Sequence, residues 1–387
     1  MIHPTRQAGL ARLIDFAPHM GRDYTAARNH DFGPEDRRNV SCLSGHVRHR
    51  LVLERELAEA ALEHHGLRTA EKFIQEVFWR TYWKGWLEMR PRVWRDYLGA
   101  VDNAQHQVSR DKALSAAYQH AVDGETGIEC FDAWARELID IGYLHNHTRM
   151  WFASIWIFTL KLPWALGAAH FLRHLIDGDA ASNTLSWRWV AGLQTRGKTY
   201  LARASNINKF SGDRFEMQGY DLASDADALP WDDPPSPAAL ALSTAFPDQP
   251  YTLFVHEEDC ALETLDLPTQ PARIMVQAQP VERAIDPLSG PARAFTQTAL
   301  DDAAQRAEDS GVPTERCSVA EAVAHTKTGT WAMAHVPVGP LADALSNGDM
   351  HRVVREEDAL LWPYATKGFF KFKEAIPGAL QTMGFAA

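Results

Sequence analysis

Between Asn39 and Phe215, apolar residues recur at three- and four-residue spacing, the period of an amphipathic α-helix. The clearest stretches are Leu51–His64, Ala70–Glu88, Phe131–Gly142 and Phe171–Asp177, punctuated by Gly66, Pro91, Gly124, Gly142 and Pro163. No strand–helix alternation interrupts them, so the region is expected to be all-α. The longest apolar run, Trp151–Leu160, is closed by Lys161 and Pro163; it is too short for a bilayer and reads as a buried helix. Beyond Phe215 the pattern changes. Asp221–Pro250 is rich in Asp, Pro, Ala and Ser and reads as a linker. Short apolar runs follow at Thr252–His256, Arg273–Ala278 and Thr330–Val336, with a helical period at Ala294–Asp309. They predict a small α/β layer with a partly parallel sheet. The expected architecture is mainly α: a helical domain over residues 1–220, a linker over 221–250 and a smaller α/β domain over 251–387. There is no internal repeat and no GxxxxGK[ST] or GxGxxG phosphate loop.

The length of 387 residues suits two domains, and a 45% apolar content with 13 Trp is ample for a large core. Arg6, Arg12, Asp15 and two prolines break up the first 20 residues, so no signal peptide is expected. Cys42, Cys130, Cys260 and Cys317 are far apart and form no CxxC. Neither a disulfide framework nor a metal site is expected, and the reducing cytoplasm is the simplest location. The net charge of −11 is unevenly spread. Residues 1–220 hold 28 Lys and Arg against 25 Asp and Glu, with 13 of the 17 His; residues 221–387 hold 11 against 25. A polyanion is therefore a plausible partner for the first part only, through a local basic stripe.

The most informative stretch runs from Gly142 to Gly192, with YLHNHTRM at 143–150 and LIDGDAASNTLSWRW at 175–189. These strings resemble the flavin-pocket signature of the cryptochrome/DNA photolyase family, W-x-H-N-x-x-R-M and then D-G-D-x-A-S-N-x-x-x-W-x-W, with Tyr143 in place of the first Trp. The resemblance extends to YTAARN at 24–29, VSCLS at 40–44 and IQEVFWRTYWK at 74–84, and covers roughly residues 20–215. It implies an all-helical FAD-binding domain with FAD as cofactor. A reduced, anionic isoalloxazine needs a cation beside it, and a buried cation needs a carboxylate; Arg149 and Asp177 suit that pair. Taken alone, the two residues read equally as a core salt bridge. By resemblance Asp179 accepts from the flavin ring N–H groups. Asn183 faces N5, where an amide either donates or accepts. Ser41, Leu43 and Ser44 lie in a turn before a helix, where hydroxyls and backbone N–H groups hold a pyrophosphate; helix capping is the other reading of the serines. Tyr24 is a phosphate contact by resemblance, and Gly45 stands where the family has Pro. A dinucleotide-sized cavity beside Arg149 and Asp177 is the structural expectation.

Trp187 and Trp164 resemble the first two members of the family's electron relay. Its third position is Ala121 here, which leaves Trp151, Trp156 and Tyr118 as candidates. Glu76, Trp79, Arg80 and Lys84 fall on one face of a helix. The resemblance assigns Glu76 to the lesion, Trp79 and Trp189 to stacking on it, and Arg80, Lys84 and Arg28 to DNA phosphates; a solvated amphipathic helix is the alternative. Asn146 and Met150 stand where (6-4) photolyases carry two His, which points to cyclobutane dimers. His147 stands where an Arg often contacts phosphate.

The family's amino-terminal α/β antenna domain and clustered iron–sulfur cysteines are not expected, which makes this a short photolyase-like form. The α/β tail is expected to be a displaced relative of the antenna domain. Its basic-aromatic stretch Trp362–Pro377 either docks on the flavin domain or on nucleic acid, or is a packed helix. The implied function is light-driven electron transfer from reduced FAD to cyclobutane pyrimidine dimers in UV-damaged DNA, single- or double-stranded. The alternatives are a cryptochrome-like light or redox sensor that signals to a protein partner through the acidic tail, and a DNA-binding flavoprotein without repair. No membrane association is expected.

Overall fold

The computed structural model describes residues 2–195, 197–230, 233–240, 242–243, 245–284 and 286–385. Linker positions 231, 232, 241 and 244 lie outside the described residues. The first part is helical, as its period predicts: α1 (Arg6–Phe16), α2 (Arg22–Ala27), α3 (Ser44–Arg48), α4 (Glu54–Glu88), α5 (Pro91–Arg110), α6 (Lys112–Asp123), α7 (Glu129–Ile141), α8 (Asn146–Ser154), α9 (Trp164–His174), α10 (Ala180–Val190) and α11 (Ala204–Phe210). The two periodic stretches on either side of Gly66 form the single long element α4, kinked where Gly66 takes φ 66° and ψ 158°. The Trp151–Leu160 run is α8 continued through a π-turn at Ile155–Thr159, and its indoles Trp151 and Trp156 are buried. Gly142 ends α7 at φ 67°, and a Cβ there would lie 2.9 Å from the carbonyl oxygen of His174. Both the left-handed backbone and the close approach call for glycine.

After the linker come β1 (Thr252–Val255), β2 (Arg273–Gln277), α12 (Gly290–Asp309), β3 (Thr314–Cys317), α13 (Val319–His325), β4 (Trp331–Ala334), α14 (Pro340–Ala344) and β5 (His351–Val353). The sheet is wholly parallel, in the order β3-β2-β1-β4-β5. Side chains alternate between two buried faces. Leu253, Val255, Ile274, Val276 and Ala332 pack with α12, and Phe254, Met275 and Met333 with residues of α13 and α14. The final helices α15 (Glu356–Leu361), α16 (Phe369–Phe372) and α17 (Ile376–Thr382) return to the helical part. Leu361, Phe369, Phe372, Ile376 and Leu380 belong to its core.

The linker is tied to the helical part by backbone bonds such as Leu229 N to Ala191 O (3.2 Å) and Ala238 N to Met89 O (2.9 Å). The two parts meet over buried charge. Arg48 pairs with Glu258 at 2.8 Å, Arg50 with Asp259 at 3.3 Å and with Asp358, and Arg355 with Asp259 at 2.6 Å. The carboxyl ends of β1 and β4 flank the switch point where open α/β sheets bind ligands. Here Glu88 closes it, meeting His335 Nε2 (3.1 Å) and the N–H of Val338 (2.6 Å). Among the described residues no helix is long and apolar enough to cross a membrane, and no group of side chains has the makings of a metal site.

Candidate functional site

The segment after Gly142 is fixed before its side chains act. The N–H of Ile176 donates to Gly142 O at 2.9 Å, which brings the end of α7 against the DGD sequence. His145 caps α8, its Nδ1 accepting from His147 N at 3.2 Å. Arg149, one turn into α8, donates Nε to Leu144 O (2.9 Å), Nη1 to Asp177 Oδ1 (3.0 Å) and Nη2 to Asp177 Oδ2 (2.8 Å). This two-pronged pair is the strong geometry for Arg and carboxylate. The Asp177 side chain is 1% exposed and that of Arg149 is 23% exposed, so the pair is buried on the carboxylate side and partly open on the arginine side. Burial works against the charge on Asp177, yet Arg149 and then Arg80 outweigh it and hold the carboxyl below its usual range. Asp179 caps α10, accepting from Ser182 N at 2.7 Å, and pairs with Arg80. Burial opposes its charge too, and Arg80 and Lys84 again prevail.

Around this pair stands a ring of hydrogen-bonding groups. The hydroxyls of Ser44 and Ser182 are buried beside Asp177 and Asp179, whose charge they help to hold. The Ser41–Ser44 turn is held by Arg12, which donates to Ser41 O (3.0 Å) and Val40 O (3.1 Å), by Leu43 N on Ser41 Oγ (3.3 Å), and by left-handed Cys42 at φ 58°. Asn183 is buried and donates Nδ2 to Ala168 O at 2.8 Å, which leaves its carbonyl. Tyr143 lies under two guanidinium groups, Arg37 at 4.6 Å and Arg149 at 5.5 Å. A partly exposed, carboxylate-paired cation, two buried hydroxyls and a turn carrying Ser41 and Ser44 suit the ring and phosphates of FAD. The expected cavity differs. Two cavities, of about 330 Å³ at Tyr118, His170 and Arg173 and about 450 Å³ at Arg203, Asn208 and Met217, lie elsewhere. At the cradle itself Arg80 reaches across to Asp179.

The face of α4 beside the cradle carries the predicted lesion contacts. Glu76 pairs with Arg28 at 2.5 Å, and both are partly exposed. Tyr24 meets Phe73 edge-on at 5.1 Å. Trp79 stacks on Phe369 with centroids 3.8 Å apart and planes 10° apart, so one side of the indole is covered. Asn146 is exposed and Met150 half-buried on α8. Trp189 stacks on Tyr200 at 5.6 Å. Leu43 is buried below the serine turn.

Three readings need correction. Lys84 is 1% exposed and sits close to Arg50, Glu258, Glu54 and Asp179; it cannot reach a DNA phosphate, because its turn of α4 faces the α/β part. Arg80 points inward to Asp179 and belongs to the cradle rather than to a phosphate track. Trp164 meets Tyr97 at 5.8 Å, and among the described residues no ring contact joins it to Trp187. Trp187 instead meets Trp156 at 6.2 Å, and Trp156 meets Tyr118 at 5.9 Å. The order runs from two buried indoles to a half-buried phenol on α6, one turn before Ala121. His147 is held by Asn29 O (3.0 Å) and stacks on Trp151 (4.2 Å), so it is a packing residue.

The comparisons fall on this region. The family described as "FAD binding domain of DNA photolyase" matches residues 73–220. Residues 73–220 are similar to the FAD-binding domain of photolyases, and this match supports a place in the photolyase/cryptochrome family. That window holds Glu76, Trp79, Arg80, Arg149, Asp177, Asp179 and Asn183, whereas Tyr24, Arg28 and the serine turn lie before it. The deoxyribodipyrimidine photo-lyase of Streptomyces griseus is 33% identical over 193 residues, 46% of this chain and 41% of the relative. That of Escherichia coli is 28% identical over 218 residues, 55% of this chain and 44% of the relative. Among solved structures, a class III photolyase from Agrobacterium tumefaciens gives a TM-score of 0.46 at 28% identity, over 55% of this chain and 44% of the other. A Synechocystis cryptochrome gives 0.43 at 24% identity, over 53% and 43%. The chain spans less than half the length of these curated relatives.

Proposed function

We propose that this flavoprotein works on UV-damaged DNA, using light to split cyclobutane pyrimidine dimers. The observation that carries this is Arg80. It joins the cradle to the α4 face, pairing with Asp179 while its neighbours on the same helix, Glu76 and Trp79, stand partly open to solvent. FAD supplies the light-absorbing, electron-donating group. Arg149 balances negative charge at the flavin ring, Asp177 keeps that guanidinium aimed, and Asn183 offers its remaining carbonyl. Ser41, Ser44 and Tyr24 receive the phosphates. Glu76 hydrogen-bonds a base edge, Trp79 and Trp189 provide apolar surface for a base out of its stack, and Arg28 faces phosphate. Burial raises the Glu76 pKa against the pull of Arg28, so its carboxyl keeps a proton to higher pH than a free one and can then donate a hydrogen bond. Trp187, Trp156 and Tyr118 form the electron route to the surface.

The test is to illuminate the reduced protein with a dimer-containing oligonucleotide, single- or double-stranded. Dimers should disappear only in the light. Dimers that persist with the flavin fully reduced reject repair. One observation favours the sensor reading: Phe369 covers one face of Trp79. If light changes the flavin while dimers stay intact, that reading takes its place, with the acidic tail as the surface for a protein partner.

A further inference from the structure

Residues 364–373 carry a feature that the flavin cradle does not use. The single turn α16 buries Phe369 and Phe372 against α4, Phe369 on Trp79 and Phe372 on Tyr82 at 5.4 Å. Tyr82 Oη donates to Lys367 O (2.9 Å) and Arg90 Nη2 to Thr366 O (2.8 Å), so the segment is pinned along the helix. Phe370, between the two buried anchors, is 77% exposed. Tyr364 is exposed as well. Lys367 and Lys371 are exposed, and Lys373 Nζ lies 5.5 Å from the Phe370 ring centroid. These three are among only 11 cationic residues in the acidic stretch 221–387.

We propose that Phe370, with Lys367, Lys371 and Lys373, is a stacking platform for an unpaired base at the edge of the Trp79 face. The inference rests on the DNA reading above and extends it to a second base position. An exposed ring flanked by cations is the chemistry that holds single-stranded nucleic acid: the ring takes a base face and the lysines take phosphates. Two exposed aromatics, Phe370 on the pinned one-turn helix and Tyr364 in the turn before it, offer too little apolar surface for a membrane, whose binding scales with buried area. Continuity with Trp79 through Phe369 sets the platform beside the candidate lesion site.

The experiment is fluorescence anisotropy with a labelled oligothymidylate across a salt series, on FAD-loaded protein. Phe370→Ala should weaken binding on the order of tenfold, with an unchanged melting temperature. Lys371→Ala/Lys373→Ala should flatten the salt slope by roughly 0.7 for each phosphate that is no longer neutralised. Wild-type protein that binds while Phe370→Ala binds equally well overturns the platform and leaves the DNA reading standing. Wild-type protein that binds no oligonucleotide at low salt overturns both. A Phe370→Ala defect seen on anionic phosphatidylglycerol vesicles and absent on DNA assigns the surface to lipid and overturns the proposal.

Discussion

Asp177 sits where burial alone would keep a carboxyl protonated, yet the Arg149 fork keeps it charged. Its pKa is depressed on folding, so the pair's stabilisation is present above the unfolded value, about 3.9, and is lost as pH falls through the lower folded value. Asp177→Asn should cost about 3 kcal/mol near neutrality. The gap from wild type should begin to narrow near about pH 4 and close only as pH falls through the lower folded value; urea melts across that range read it. Asp177 and Arg149 were legible because the DGD and HNxxRM strings surround them. Arg12 was not: it reaches Val40 across 28 residues, and no local spacing signals that bond. Tryptophan partners were equally illegible, since ring contacts depend on rotamers. The sequence set Trp164 beside Trp187 and held Trp156 and Tyr118 as candidates for the third position, whereas the ring contacts join Trp187 to Trp156 and Trp156 to Tyr118. Tyr118→Phe and Trp156→Phe should slow light-driven reduction of the flavin in the presence of a thiol, and Trp164→Phe should leave it near the wild-type rate. Stopped illumination followed by flavin absorbance checks the order.

At the scale of elements, legibility followed burial. TLFV, RIMV and WAMA read as strands because β1, β2 and β4 bury both faces. Strands β3 and β5, TERC and HRV, sit at the sheet edges and carry polar residues, so their apolar signal is missing. Helix α4 runs from the α/β interface at Glu54 past Glu76 and Trp79 to Trp86, and one close approach locks it to Trp362. A Cβ on Gly85 would stand 2.6 Å from Trp362 Cδ1 and 3.0 Å from its Cα. Gly85→Ala must move backbone, and should cost about 1–3 kcal/mol. It should also speed proteolysis in 362–372, read by timed digestion and mass spectrometry; unchanged digestion would mean that this packing does not hold the segment down.

Over the whole molecule, the α/β part acts as a brace rather than as an open ligand-binding sheet. Its switch-point crevice meets Glu88, and its charges interlock with Arg48 and Arg50. Within this interface burial pushes the Glu357 pKa up to about 7 against the pull of Arg50 and Arg355, with Asp358 and Glu54 adding to the rise. A folded pKa above the unfolded one gives stability that is full at low pH and lost as pH rises through the folded value. Glu357→Gln should therefore gain stability relative to wild type between about pH 5 and pH 8, as thermal melts across that range would report; a constant difference would place the carboxyl in a more solvated setting. Arg48 links Glu258 of the α/β part to Gly178 O (2.9 Å), and Arg80 links α4 to Asp179, so both border the candidate cradle. The most direct test of that cradle is FAD stoichiometry, measured by absorbance after release from wild-type protein and from Asp177→Ala, with circular dichroism as the control for folding. The account predicts stoichiometric FAD in the wild type and a large loss in the folded variant. Wild-type protein that takes up no FAD, or a variant that holds it just as tightly, contradicts it.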